Sequence, residues 1–264
     1  MPTVTSKDGT TIAYEKMGQG PALILVDGAL CYREFGPAKG IAKLLEPNFT
    51  VYIYDRRGRG ESTDTKPYAV EREVEDLEAL INAAGGSAFV VGFSSGAALS
   101  LEAANCNLPI KKLALYEAPF IVDDTTTPRP DDLVARMDAL IAEGRRGDTV
   151  KLFMKTVGTP GFAILMMQLM PVWKQLKAVA HTLPYDLRTL GDHGKGKPLP
   201  AGEWDAAKMP TLVMDGGKSP TYMRHAMDSL SKVLSNAKYR TLEGQTHMVK
   251  AESIAPVLIE FFSN

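Results

Sequence analysis

Short apolar runs alternate along the chain with longer stretches in which apolar positions recur every three or four residues. PALILV (21–26), FTVYIYD (49–55), AFVVGF (88–93), KLALYE (112–117) and PTLVMDG (210–216) are rich in β-branched or aromatic residues. Most give way to glycine or charged residues, the pattern of strands buried on both faces. The more polar AKYRTLEG (237–244) continues the series. Between these runs, REFGPAKGIAKLLEP carries a helix ended by Pro47. VEREVEDLEALINAAGG sets Val74, Leu77, Leu80 and Ile81 on one helical face before a Gly85-Gly86 stop. Further helices are predicted from about Ser95 to Asn105, across 220–235, and at the end of the chain to Phe262. An N-terminal hairpin turns at Asp8-Gly9. Strand and helix in regular alternation predict an α/β fold whose mostly parallel sheet is covered on both sides. Ligands then bind at the carboxyl ends of the strands.

One section breaks this rhythm. From Phe120 to Lys208 no strand pattern is visible, and helical stretches are interrupted by proline and glycine. The organisation predicted is a core of residues 1–119 and 209–264 with a helical cap inserted over 120–208. Phe162, Met166, Met167 and Met170 make part of this insertion strongly apolar. Two readings stand open for them: lining an adaptable apolar pocket, or packing the cap on the core.

Composition narrows the function. The 264 residues are 45% hydrophobic and 23% charged, enough for a substantial core, and the formal net charge is −1. No overall basic field is available, so neither nucleic acid nor a membrane surface is expected as a partner. The N-terminal stretch has no signal-peptide core, and a cytoplasmic location is expected. Cys31 and Cys106 are too few for a disulfide framework and lack metal spacing, so both read as reduced thiols. No metal site is evident.

Chemistry concentrates around VVGFSSGAALS (90–100). Gly92-Phe93-Ser94-Ser95-Gly96 matches G-x-S-x-G between a predicted strand and a predicted helix, and that context carries more weight than the five letters. A turn this sharp forces its central residue, Ser94, into strained geometry above the sheet. Ser95 supplies a free backbone N–H at the positive end of the helix dipole. Ser94 is thus the candidate nucleophile and Ser95 a candidate oxyanion donor. A serine hydroxyl needs a base, and four histidines are available. His181 and His193 fall in the insertion and His225 on a polar helical stretch. His247, in LEGQTHMVKAES, follows the last predicted strand at the carboxyl edge of the sheet and is the candidate base.

With LILVDGA, YDRRGRGES, GFSSG and GQTHM in this order, the chain resembles the α/β-hydrolase superfamily over nearly its whole length. The resemblance implies a serine nucleophile and an oxyanion hole shared by the backbone N–H groups of Ala29 and Ser95. Asp27-Gly28 replaces the His-Gly of many members, which alters loop hydrogen bonding while leaving the backbone donors in place. Many relatives carry the triad aspartate a few residues beyond the strand represented here by TLVMDGG, but that region holds Ser219 and its neighbours. Some members, including certain haloalkane dehalogenases, take the acid from the end of the neighbouring strand, which points to Glu117. Asp215 is the alternative acid.

Other residues receive plainer readings. Arg56, Arg57 and Arg59 read, with Asp55, as a structural turn ordering adjacent loops. Cys31 and Tyr32 follow the oxyanion loop, Cys31 without any elbow to make it a nucleophile. Trp173 and Trp204 read as packing residues. The function implied is that of a cofactor-independent serine hydrolase acting on a small, apolar ester, thioester or lactone through an acyl-enzyme. The serine disfavours dehalogenase and epoxide hydrolase chemistry, which uses a carboxylate nucleophile in this superfamily. Non-hydrolytic chemistry (C–C cleavage, perhydrolysis or a lyase step) and non-catalytic ligand binding are the alternatives. Oligomeric state and physiological substrate stay open.

Overall fold

Every residue from Leu23 to Val26 and from Val51 to Tyr54 is buried, as uninterrupted apolar runs require when both faces of a sheet are covered. The computed structural model describes residues 1–264. Eight strands form one sheet: β1 (Thr3–Thr5), β2 (Thr11–Met17), β3 (Ala22–Val26), β4 (Thr50–Tyr54), β5 (Ala88–Phe93), β6 (Ile110–Tyr116), β7 (Thr211–Gly216) and β8 (Ala237–Leu242). Their spatial order is β1-β2-β4-β3-β5-β6-β7-β8. The first hairpin is antiparallel and β2 runs antiparallel to β4, while β4, β3, β5, β6, β7 and β8 are mutually parallel. The fold is the doubly covered α/β-hydrolase sheet expected.

Side chains alternate between two cores, following the period of two along each strand. Leu23, Leu25, Val51, Ile53, Val91 and Phe93 pack with α1 (Ala38–Leu45) and α10 (Ala251–Ser263) on one face. Ile24, Val26, Tyr52, Val90, Leu113 and Val213 pack on the other with α2 (Val70–Ala83), α3 (Ser95–Asn105) and α9 (Thr221–Val233). All four residues assigned to the inner face of α2 are buried. The helix expected within REFGPAKGIAKLLEP begins at Ala38, because Tyr32 and Phe35 pair in a short antiparallel bridge before Pro37 admits the first turn. From β3 the chain moves to β4 on one side, then crosses back to β5 on the other. This reversal opens a crevice between the ends of β3 and β5.

Between β6 and β7 the chain is helical: α4 (Leu133–Ala142), α5 (Arg146–Thr156), α6 (Gly161–Gln168), α7 (Val172–Val179), a 3-10 turn (Ala180–Thr182) and α8 (Leu183–Thr189). Met137, Val150, Trp173, Leu176, Leu183 and Leu187 join the core that α3 and β5 share. Trp204 is buried as well, with Nε1 donating to Glu102 at 2.9 Å. The short α6 departs from this pattern. Its Ile164 is buried and Met167 packs partly on the core, but Phe162 and Met166 are exposed, as is Met170 in the turn beyond. Three of the four apolar residues expected to line a pocket or pack inward therefore face outward. No helix is long and apolar enough to cross a membrane.

Candidate active site

The strand β5 ends at Phe93 and α3 begins at Ser95, leaving Ser94 alone to reverse the chain at φ 54° and ψ −126°. For a non-glycine residue this is a strained conformation, held by its surroundings. The Ser94 N–H donates to the Tyr116 carbonyl at 2.9 Å. A Cβ on Gly96 would stand 2.2 Å from the Val26 carbonyl oxygen, so only glycine lets α3 start this close to β3. A Cβ on Gly28 would lie 2.8 Å from that of Ser94, so the loop after β3 is pressed against the serine. Neither the Ala29 N–H nor the Ser95 N–H donates to a protein acceptor, which leaves two donors free beside the Ser94 side chain.

His247 lies in the loop after β8, where the Tyr116 hydroxyl donates to the Thr246 carbonyl at 2.6 Å. Its Nε2 is 3.2 Å from Ser94 Oγ, and its Nδ1 is 2.8 Å from Glu117 Oε2. Glu117 directly follows β6, is fully buried, and has φ 48°. Its other oxygen, Oε1, accepts from the Gly216 N–H at 2.7 Å. With Nδ1–H donating to the carboxylate, Nε2 presents a lone pair to the serine hydroxyl. This arrangement can accept a proton from Ser94 and stabilise the imidazolium that results. Tyr116 and Glu117, adjacent in sequence, thus hold the serine backbone, the histidine loop and the histidine ring.

The other candidates lie elsewhere. Asp215, inside β7, accepts from the Tyr239 hydroxyl and faces Arg224 Nε at 3.8 Å, so its carboxylate does not reach His247. Ser219 is buried, and its Oγ has no hydrogen-bond partner. His193 pairs with Glu203 at 2.9 Å, His225 pairs with Asp123, and His181 sits in the 3-10 turn near Gly58. Both cysteines are free. Burial, reinforced by Asp27, pushes the Cys31 thiol up to about 12, so it stays protonated at neutral pH. No group of three or more His, Cys, Asp or Glu side chains converges as a metal ligand set.

The model of the alpha/beta hydrolase family matches residues 23–251. The chain belongs to that family. A crystal structure of an alpha/beta hydrolase from Sphaerobacter thermophilus is 53% identical, with a TM-score of 0.91, covering 99% of this chain and 100% of the other. An enol-lactonase from Burkholderia xenovorans (20% identity, TM-score 0.72, 100% of both chains) shares the fold. So does a thermophilic esterase from Thermogutta terrifontis (19% identity, TM-score 0.69, 99% and 97%).

Beneath the elbow, this α/β hydrolase carries a buried ion cluster that local sequence patterns do not reveal. Arg56 and Arg59, from the loop after β4, converge on Asp186 of α8, all three at most 1% exposed. Arg59 Nη2 lies 2.8 and 2.7 Å from the two carboxylate oxygens, and Arg56 Nη1 donates to Oδ1 at 2.7 Å. The Ser95 hydroxyl donates to the same Oδ1 at 2.7 Å. Burial opposes ionisation, but Arg59 and Arg56 hold the Asp186 carboxyl below its ordinary value. Arg56 also pairs with Glu73, while Arg59 donates to the Gly28 carbonyl at 2.7 Å. Arg57 pairs with Asp76 and Asp8. The arginine turn therefore orders adjacent loops, as expected, and also ties α8 to the elbow. Asp186 stands 130 positions beyond Arg56 and belongs to no motif, so sequence reading misses it.

Asp27 also gains a meaning. Burial raises its carboxyl to about 7 against the opposing pull of Arg59 and Arg56, and Oδ1 has no partner. It precedes Gly28 and Ala29 in the chain, and its Oδ2 faces Gly36, where an added Cβ would stand 3.0 Å away.

Proposed function

We propose that this α/β hydrolase is a serine hydrolase of small, apolar esters, thioesters or lactones, working without a cofactor from beneath the helical cap. Ser94 Oγ attacks the acyl carbon while His247 Nε2 takes its proton. The negative charge that develops on the carbonyl oxygen is held by the Ala29 and Ser95 N–H groups. His247 returns the proton to the leaving alcohol, thiol or ring oxygen as the acyl-enzyme forms. It then takes a proton from water, whose oxygen attacks the acyl carbon, and passes that proton to Ser94 Oγ as the acyl–Oγ bond breaks and the acid is released. Glu117 fixes the ring with Nδ1 protonated and offsets its positive charge.

The observation that carries this reading is the unbroken path from Ser94 Oγ to His247 at 3.2 Å and on to Glu117 at 2.8 Å. The strained backbone at both Ser94 and Glu117 supports it, since such geometry persists where surrounding contacts impose it. The test is labelling with a fluorophosphonate, followed by peptide mapping of the adduct. The expected adduct is on Ser94, absent in Ser94→Ala and greatly slowed in His247→Ala. Folded protein that takes up no probe would overturn the proposal.

A further inference from the structure

The near-neutral balance of the whole chain hides a local imbalance on the helical segment. A cavity of about 610 Å³ is lined by Arg145, Arg146, Lys151, Lys174 and Lys177, with Asp148 as its single carboxylate. Asp148 engages Arg145 and Lys151, leaving Arg146, Lys174 and Lys177 without a carboxylate partner. Gln168, the last residue of α6, forms one side of this cavity. At 100° per residue, Leu165 is the exposed neighbour of Gln168 around the helix. It begins the outward apolar face: Phe162 is 75% exposed, Leu165 61%, Met166 57% and Leu169 78%. A cationic hollow and an exposed apolar ridge thus adjoin across α5, α6 and α7.

We propose that this ridge and hollow form a docking surface for an anionic lipid bilayer, with α6 lying in the plane of the headgroups. Each half supplies what the other lacks. A solvent-facing run of Phe, Leu and Met is costly in water and gains on entering the acyl boundary, and flanking Lys and Arg draw it to negatively charged headgroups. The helix has 8 residues, so it lies on a bilayer and does not span it. A second copy of the chain fits this face less well, because a twofold contact would bring the uncompensated cations of one copy close to those of the other. A small free anion would account for the hollow and leave the ridge unexplained. The inference does not depend on the hydrolytic reading.

The full chain is to be sedimented with vesicles of phosphatidylcholine alone and of phosphatidylcholine mixed with phosphatidylglycerol, at low and high salt. Partitioning is expected to be at least about tenfold stronger on the anionic vesicles and to fall with salt. Lys174→Ala with Lys177→Ala should weaken it by roughly thirtyfold, about fivefold for each charge. Leu165→Gln with Leu169→Gln should weaken it by at least about tenfold. All four positions are exposed, so both variants should keep the wild-type circular dichroism. The proposal is overturned by wild-type protein that ignores both vesicles, or by a lysine variant that binds as wild type does. It is equally overturned if the leucine variant only dissociates a dimer, or if inorganic phosphate binds the hollow while anionic vesicles do not.

Discussion

Glu117 and Asp215 are both fully buried carboxylates at the carboxyl ends of neighbouring parallel strands, yet they face different partners. Glu117 has already left β6, with positive φ, and its longer side chain meets the His247 ring and the Gly216 N–H. Asp215 is still held within β7, and its short side chain is taken up by the Tyr239 hydroxyl of β8. Burial and strand position alone therefore do not make a carboxylate the partner of a base. One methylene of reach and one residue of distance past the strand end decide which carboxylate meets the imidazole.

The sharpest way to break this comparison is Glu117→Gln, which keeps the shape but lets the ring adopt the wrong tautomer. Turnover of an activated ester should fall by about 10⁴-fold with little change in binding. An effect no larger than that of Asp215→Asn would remove Glu117 from the proposed triad. Asp186→Ala tests a buried carboxylate with a different task. It leaves Arg59 without a carboxylate partner and takes one of two from Arg56, and should destabilise the fold by about 3–5 kcal/mol in a urea titration. Asp27 offers a third case, in which burial prevails over nearby cations. Its carboxyl is raised from 3.8 to about 7, so between those values the unfolded chain is ionised while the folded chain keeps the proton. Stability present below that window is lost as pH rises through it, by a few kcal/mol at most, and levels off above it. Asp27→Asn should flatten this slope in denaturation curves taken at acidic and alkaline pH. Asp215→Asn should be the mildest change. It weakens one hydrogen bond to Tyr239 and should cost about 1 kcal/mol of stability, with turnover changed less than about tenfold.

The same contrast explains what the chain discloses before folding. The strands are legible because burial on both faces demands uninterrupted apolar runs, and Ser94 because its turn needs a small neighbour such as Gly96. His247 is legible from its place after the last strand. Glu117 emerges only when the neighbouring strand end is considered, since a lone glutamate after an apolar run has no local signature. Asp186 is not legible at all, because its partners lie in a loop on the far side of the sequence. The apolar α6 misleads for the opposite reason: burial depends on what packs against a helix, and here only Ile164 is buried, with Met167 packing partly on the core.

The cluster around Asp186 limits how freely such molecules can be recombined. A foreign helical segment grafted between β6 and β7 would have to bring its own acid to the spot occupied by Asp186. Otherwise it would strand the Arg59 guanidinium beneath the elbow, leave Arg56 with Glu73 alone and release the Ser95 hydroxyl. The insertion is therefore not a detachable module. Its α8 is part of the keystone on which the serine turn rests, and variety in this architecture is most easily gained in α4 to α7, upstream of that lock.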